Sequence, residues 1–259
     1  ANGVPSGCDI CDLGGMKCQI IHGDCLHVMR GLSQASFDAV ITDPPYSSGG
    51  AFRGDRTAST RSKYVQCGSQ HAIPDFSGDN RDQRGYLAWS TLWMSQARSL
   101  TKPSGLIAVF TDWRQLPTTT DAVQAAGWVW RGVAVWLKKT ARPAKGRYAQ
   151  QAEFVVWGTN GPRPMAGTCA RGGWHEATPA IADRHHITQK PDAVMDGLLS
   201  VLSPGSSVLD PFCGSGSTGR ACATAGIDFV GIEMAQHFCD VAERRIREAR
   251  AALPLICQK

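Results

Sequence analysis

Residues 206–233, SSVLDPFCGSGSTGRACATAGIDFVGIE, write out a strand, a glycine turn, a helix and a second strand in immediate succession. The apolar run over 207–210 stops at Asp210, glycines stand at Gly214, Gly216 and Gly219, a helical pattern fills 217–225, and a strand over 228–232 leads to Glu233. Strands that alternate with helices in this way build a mostly parallel sheet with helices on both faces. The rest of the chain keeps the same rhythm. Strand candidates lie at 17–21, 38–42, 105–111, 128–136 and 152–157, and helical patterns near 25–31, 86–100, 114–126, 191–202 and 235–252. The expected fold class is therefore α/β, with a doubly wound, mostly parallel sheet.

Two segments escape this rhythm. Residues 47–85 and 158–188 are rich in Gly, Ser, Thr, Arg and Pro and are longer than a connecting loop needs to be. With 259 residues the chain can bury one sizeable core, so a single domain over 1–259 is expected, carrying inserted loops at 47–85 and 140–185. No stretch approaches a membrane span, and the opening ANGVPSGCDICDLGG lacks the basic start and apolar run of a signal peptide. A soluble cytoplasmic protein is the expectation. Ten cysteines scattered through apparent helices and strands then read as reduced thiols. Cys8-x-x-Cys11, followed by Cys18, His22 and Cys25, has the ligand types for zinc, but no second C-x-x-C pair stands at finger-like spacing, and no metal is expected.

The spacing of Gly214, Gly216 and Gly219 is a literal G-x-G-x-x-G between a strand and a helix, and Glu233 closes the next strand. Glycines there permit a tight turn and close approach of a ligand, and a carboxylate at the second strand end can accept both hydroxyls of a ribose. In dinucleotide sites the glycines follow the strand almost directly. Here Asp210, Pro211, Phe212 and Cys213 intervene. A carboxylate would repel a pyrophosphate and attract a ligand bearing an ammonium group. S-adenosylmethionine, with sulfonium, ammonium, ribose and adenine and no phosphate, has that character.

A second strand end is as unusual. In DAVITDPPYSSGG, residues 38–50, a buried strand stops at Asp43 because two prolines follow that cannot donate to a ladder. DPPY at 43–46, DPFCGSGSTG at 210–219 and VGIE at 230–233 together resemble the amino-methyltransferases of DNA, which methylate the exocyclic nitrogen of adenine or cytosine. DPPY comes early and the glycine turn late, similar to the circularly permuted order of the β group of that family. IHGDCLHVM and HHITQKP resemble two further segments of it, so the likeness covers nearly the whole chain apart from the two inserts. Ile187 stands in place of the usual proline and Ser217 in place of the usual threonine.

The resemblance implies a Rossmann-like methyltransferase fold, S-adenosylmethionine as cofactor, double-stranded DNA as partner and a homodimer. It implies that Asp210, Phe212 and the backbone of Cys213, Gly214, Ser215 and Gly216 hold the methionine part, Glu233 the ribose and Asp24 the adenine amino group. Thr188 and Lys190 are similar to residues that approach the methionine carboxylate. In a doubly wound sheet the ligand crevice lies where strand order reverses. Asp24, Asp43, Asp210 and Glu233 each stand at or just after a strand's C-terminal end and are expected to line one rim, although any one alone reads equally well as a helix N-cap.

The target chemistry explains DPPY. An exocyclic base amine is a poor nucleophile because its lone pair is delocalised into the ring. Acceptors aimed at its two N–H bonds, the Asp43 carboxylate and the Pro44 carbonyl held outward by Pro45, draw the nitrogen toward tetrahedral geometry. Tyr46 offers a face for a base flipped out of the duplex. The transfer is an in-line displacement that rests on proximity and needs no covalent nucleophile.

Arg53, Arg56, Arg61, Lys63, Arg81 and Arg84 in the first insert, and Lys139, Arg142, Lys145, Arg147, Arg163 and Arg171 around the second, suit contacts to phosphates and base edges. The net charge of +5 permits such a partner without demanding it. The resemblance favours adenine N6 over cytosine N4. Three other readings stand beside it: an RNA or protein amino-methyltransferase, disfavoured by Asp rather than Asn at 43; a nicotinamide oxidoreductase, disfavoured by Asp210; and a DNA-binding module without catalysis, which leaves the pairing of DPPY with the glycine turn unexplained.

Overall fold

The structure, a computed structural model, describes residues 11–12, 15–46, 81–141, 145–178 and 190–253. Its strands are β1 (Cys11–Asp12), β2 (Lys17–His22), β3 (Phe37–Thr42), β4 (Thr101–Thr111), β5 (Val129–Lys138), β6 (Ala152–Thr159), β7 (Gly173–Glu176), β8 (Ser207–Asp210) and β9 (Asp228–Glu233). Its helices are α1 (Cys25–Val28), α2 (Gln83–Leu100), α3 (Leu116–Ala125), α4 (Asp192–Leu199), α5 (Ser217–Ala225) and α6 (Gln236–Ala251).

The described strands form one sheet in the order β1-β2-β9-β8-β3-β4-β6-β5-β7. From β2 through β4 every neighbour is parallel, whereas β6 runs antiparallel to both β4 and β5. The expected doubly wound, mostly parallel α/β sheet is present. Its order reverses between β8 and β3: the chain proceeds outward from β8 to β9 on one side and from β3 to β4 on the other.

The pleat sorts apolar side chains onto two faces. Ile20, Ala39, Ile41, Leu106, Ala108, Phe110, Val155 and Val208 pack with α4, α5 and α6. Their neighbours Ile21, Val40, Ile107, Val109, Val156 and Leu209 pack with α1, α2 and α3. Continuous apolar runs such as Ala39–Ile41 are thus buried on both faces, as parallel strands must be. Cys18 and Cys25 fall into opposite layers, while Cys8 lies outside the described residues.

Both ends of the β3–β8 seam are tied. At the N-terminal end the Asp38 carboxylate accepts from Lys102 Nζ at 2.8 Å and from the Ser207 backbone N–H at 2.9 Å. At the C-terminal end Thr42 Oγ1 donates to Asp210 Oδ1 at 2.6 Å.

Three of the departures from expectation have a visible physical cause. β4 begins at Thr101 rather than 105, because an irregularity in its pairing with β3 absorbs Pro103 and Ser104, the latter at φ 64. α2 begins at Gln83, three residues early, because the Asp82 carboxylate caps it by accepting from the Gly85 N–H at 2.7 Å. Within the expected irregular stretch 158–188, β7 adds a parallel edge strand to β5. Trp174 anchors it against α4, where Gly197 leaves room that any side chain would fill.

Candidate active site

The C-terminal ends of β2, β9, β8 and β3 stand side by side, which brings Asp24, Glu233, Asp210 and Asp43 to one rim as expected. A cleft of about 430 Å³, part of it open to solvent, lies over the reversal point. Asp43, Lys190, Asp210, Phe212, Cys213, Gly214, Ser215 and Thr218 line it.

The glycine turn divides its labour. Gly216 sits at φ 79, and a Cβ there would stand 2.8 Å from the Cβ of Ala242 on α6. A Cβ on Gly219 would meet Ile246 Cδ1 at 2.5 Å and the Phe229 ring at 2.6 Å. These two glycines serve protein packing. Gly214, at φ 49, meets nothing within 4 Å, so it is the glycine that leaves space on the cleft side. Buried Arg245 braces the turn from behind, its Nη1 donating to the Ser215 carbonyl at 2.5 Å and to Ser215 Oγ at 3.0 Å. Cys213 is buried, its N–H donating to the Ile232 carbonyl at 3.0 Å, and burial pushes its thiol well above the usual range.

Each carboxylate has a distinct environment. Asp210 is buried and accepts from Thr42 and Thr218 hydroxyls, both at 2.6 Å, and from the Phe212 N–H at 3.1 Å. Burial outweighs those bonds and pushes its pKa up to about 6. Glu233 accepts from the Gly214 N–H at 3.0 Å and the Ala235 N–H at 2.9 Å, which stretches it across the base of the glycine turn; burial raises its pKa. Asp24 is exposed and caps α1, accepting from the His27 N–H at 3.1 Å. The N-cap reading holds for this residue, beside its place on the rim.

Asp43 is engaged differently. Its Oδ2 accepts from Lys190 Nζ at 2.5 Å, and its Oδ1 is buried with no hydrogen-bond partner among the described residues. Lys190, 4% exposed, also lies 3.4 Å from Glu153 Oε2 as an ion pair, and Glu153 Oε1 pairs with Lys138 Nζ at 2.6 Å. Burial raises the pKa of Asp43 against the pull of Lys190. Glu153 stays low because Lys190 and Lys138 outweigh its burial, and Lys190 stays high because Asp43 and Glu153 do the same for it.

Pro44 is buried, and Pro45 and Tyr46 are half-buried at the mouth of β3. Phe212 packs between Trp89 and Trp93 of α2, with ring centroids 5.2 Å away in both cases, and Arg81 stacks over Trp89 at 4.0 Å. Thr188 and residues 47–80 lie outside the described residues, as does Arg142. Lys145, Arg147 and Arg171 are exposed. Arg163 is not available for an external partner: its guanidinium donates to the carbonyls of Ser104 at 2.9 Å and Val201 at 3.4 Å, at the far end of β4 from the cleft.

Sequence reading missed Thr42, Thr218, Arg245, Glu153 and Lys138. Glu153 carried a local signal, a lone acid opening the apolar run Phe154–Trp157, but its partners come from other strands.

The family model described as DNA methylase matches residues 37–171 and 168–244 of this chain. The type II methyltransferase M.HinfI of Haemophilus influenzae is 25% identical over 257 residues, covering 89% of this chain and 68% of its own length. Solved structures share the fold as well. The M1.HpyAVI–SAM complex aligns with a TM-score of 0.63 at 24% identity, covering 88% of this chain and 98% of that one. The PvuII DNA methyltransferase, cytosine-N4-specific, aligns with a TM-score of 0.66 at 14% identity, covering 88% and 86%.

Proposed function

The chain belongs to the DNA methylase family, and from that premise we propose that it transfers a methyl group from S-adenosylmethionine to the exocyclic N6 of adenine in double-stranded DNA. The observation that carries this reading is the placement of Asp43 and Asp210 on either side of the reversal point, one over the acceptor side and one over the cofactor side of a single cleft.

The cleft suits the cofactor. Gly214 leaves space where a side chain would intrude, Glu233 stands at the end of β9 for ribose hydroxyls, and Asp210 supplies the negative field that an ammonium group seeks. Phe212, Cys213, Ser215 and Gly216 shape the methionine end, with Thr188 and Lys190 toward its carboxylate, and Asp24 faces the adenine amino group. When bound, S-adenosylmethionine supplies an electrophilic methyl on sulfur.

The chain's own residues prepare the acceptor. Asp43 Oδ1, buried and without a partner among the described residues, is an acceptor waiting for an N–H. The Pro44 carbonyl is the second acceptor, and Pro45 stiffens the turn that presents it. Tyr46 stacks on the extruded base. Two acceptors on one amine localise its lone pair, and the cleft walls keep the nitrogen in line with the methyl.

DNA recognition falls to the segments 47–85 and 140–185 outside α2, β6 and β7, where Lys145, Arg147 and Arg171 are exposed, and the enzyme acts as a homodimer that engages one target base at a time. The early DPPY strand and late glycine turn support the permuted β group. Cytosine N4 is the second reading, favoured by the likeness to the cytosine-N4-specific PvuII enzyme; either amine satisfies the same two acceptors. Incubation of the protein with labelled S-adenosylmethionine and duplex DNA, followed by nucleoside mass spectrometry, should return N6-methyladenine. Label in RNA or protein but not DNA defeats the reading, and N4-methylcytosine replaces it by the second.

A further inference from the structure

The four charged groups Asp43, Lys190, Glu153 and Lys138 form an unbroken line of alternating sign that runs from the mouth of β3, through the residue that precedes the N-cap of α4, to β6 and β5. Nothing in the proposed reaction, as described so far, uses Glu153 or Lys138. Both lie behind Lys190, away from the acceptor. A buried glutamate is costly unless it compensates another charge, and here it faces two ammonium groups.

We propose that Glu153 is a positioning residue: it pins the Lys190 ammonium on Oδ2 of Asp43, so that the carboxylate is held in one orientation, with Oδ1 turned out as the carboxylate oxygen that accepts from the target amine. This rests on the proposed function. Three features of the geometry carry it. Lys190 is too deeply buried to swing freely, and Phe110 lies 5.0 Å under its ammonium. The 2.5 Å bond engages one Asp43 oxygen and leaves its twin bare. Glu153 is itself fixed from the other side by Lys138 at 2.6 Å, so the restraint is anchored in β5 and β6 rather than in a loop.

The arrangement answers a difficulty of the site. Asp43 is raised by burial, with Glu153 adding to the rise, and a protonated Asp43 offers a hydroxyl where an acceptor is needed. Lys190 works against both. The other groups facing Asp43 are Asp210 from β8 and Tyr86 from α2. Neither supplies positive charge, so the ionised state of Asp43 depends on Lys190, with a weaker direct pull from Lys138.

The two residues therefore have opposite electrostatic effects on Asp43 and the same geometric purpose. Replacing Lys190 with Met removes the stabilising cation and should move the Asp43 titration to higher pH. Glu153→Gln removes a repelling anion and should move it to lower pH, yet frees Lys190 from its anchor and should slow methyl transfer on the order of 10- to 100-fold at neutral pH, with little change in the Kd for DNA. A structural defect alone would not move the two titrations in opposite directions.

The test is a carbon-13 NMR titration of the Asp43 carboxyl in the protein without cofactor or DNA, assigned by its loss in Asp43→Asn. It runs beside single-turnover methylation across pH for the unmutated protein, Lys190→Met, Lys190→Arg, Glu153→Gln and Glu153→Asp. Opposite shifts for Lys190→Met and Glu153→Gln, with the charge-conserving variants closer to the unmutated protein, support the inference. Coincident Asp43 titrations in all folded variants overturn it. Should Lys190→Met not fold, the Glu153→Gln shift and its reversal in Glu153→Asp decide. Absence of DNA methylation by the unmutated protein overturns the proposed function instead, and the carboxyl titration still reports on the positioning pair.

Discussion

Thr42 and Asp210 are joined by a 2.6 Å hydrogen bond across the reversal of strand order between β3 and β8. The bond closes the seam between the acceptor strand and the cofactor strand, and it holds the Asp210 carboxylate at a fixed distance from the neighbouring Asp43. Two like charges therefore share a crevice without freedom to part, which is why the position of each counter-group matters.

Replacement of Asp43 by Ala removes the carboxylate acceptor while leaving the glycine turn and Glu233 in place. Turnover should fall by at least about a hundredfold, the usual size for loss of one such group, and S-adenosylmethionine binding should persist. Rapid-quench methylation assays and calorimetry on the same preparation check both halves. Near-normal methylation would remove Asp43 from the mechanism.

Glu233→Ala should weaken S-adenosylmethionine by about 1.5–3 kcal/mol through loss of charged hydrogen bonds to the ribose. It also strands the Gly214 and Ala235 N–H groups, so a modest fall in melting temperature should accompany the weaker binding. Isothermal calorimetry with S-adenosylmethionine and with NAD tests the cofactor assignment at the same time. Tighter binding of NAD would be decisive against it.

Asp210 titrates near 6 in the folded chain and near 4 when unfolded, so the native state holds its proton more tightly. The sign follows directly: this group favours folding most at low pH, and its contribution is lost as pH rises from about 4 through about 6, on the order of 3 kcal/mol in all. Asp210→Asn abolishes that term. The stability of the unmutated protein relative to Asp210→Asn, from urea melts at a series of pH values, should therefore fall between pH 4 and 7. A flat difference would place the Asp210 pKa at its ordinary value.

Gly219→Ala and Gly214→Ala should separate packing from binding. The first drives a methyl into Phe229 and Ile246 and should cost roughly 1–3 kcal/mol of stability. The second adds a methyl to open space at φ 49, a strain of only about 1–2 kcal/mol, but it narrows the cleft and should depress S-adenosylmethionine binding more than its effect on the melt predicts. Equal ratios of binding loss to stability loss in the two variants would show that the cleft does not use Gly214 for its ligand.

What could be read from the sequence was whatever lies within one element and the turn after it. The apolar run before Asp43, the glycine spacing and the alternation of periods are local, and the sheet honours them. The start of α2 escaped because its cap, Asp82, sits at the end of an insert where no period marks a beginning. β7 escaped because four residues with one half-buried anchor, Trp174, carry no period; the groove at Gly197 that receives it is remote in sequence. Thr42, Thr218, Arg245 and Glu153 escaped for a common reason. Thr42, Arg245 and Glu153 reach groups far along the chain or across the sheet, whereas Thr218 reaches back eight residues to Asp210; in each case a hydroxyl or a charge announces nothing about its partner. Lys190 was named from the sequence for the cofactor carboxylate, and its ammonium lies on Asp43, a contact between residues 147 apart. Its place among cofactor-binding residues remains part of the proposed function.

The flank of the sheet where β2 lies beside β9 has a consequence for the birth of the molecule. Residues 17–22 leave the ribosome well before the strand that covers them, 228–233, and the Lys17 N–H that bonds Asp228 waits across 211 positions. β3 waits similarly for β8. Until β8 and β9 are made, two apolar strands have bare edges and no permanent neighbour on that side, the condition in which nascent chains pair with one another. Synthesis halted before residue 228 would not yield a smaller working domain but an open half-sheet, so in a producing cell the yield of folded protein depends on how long those early strands can be kept from strangers.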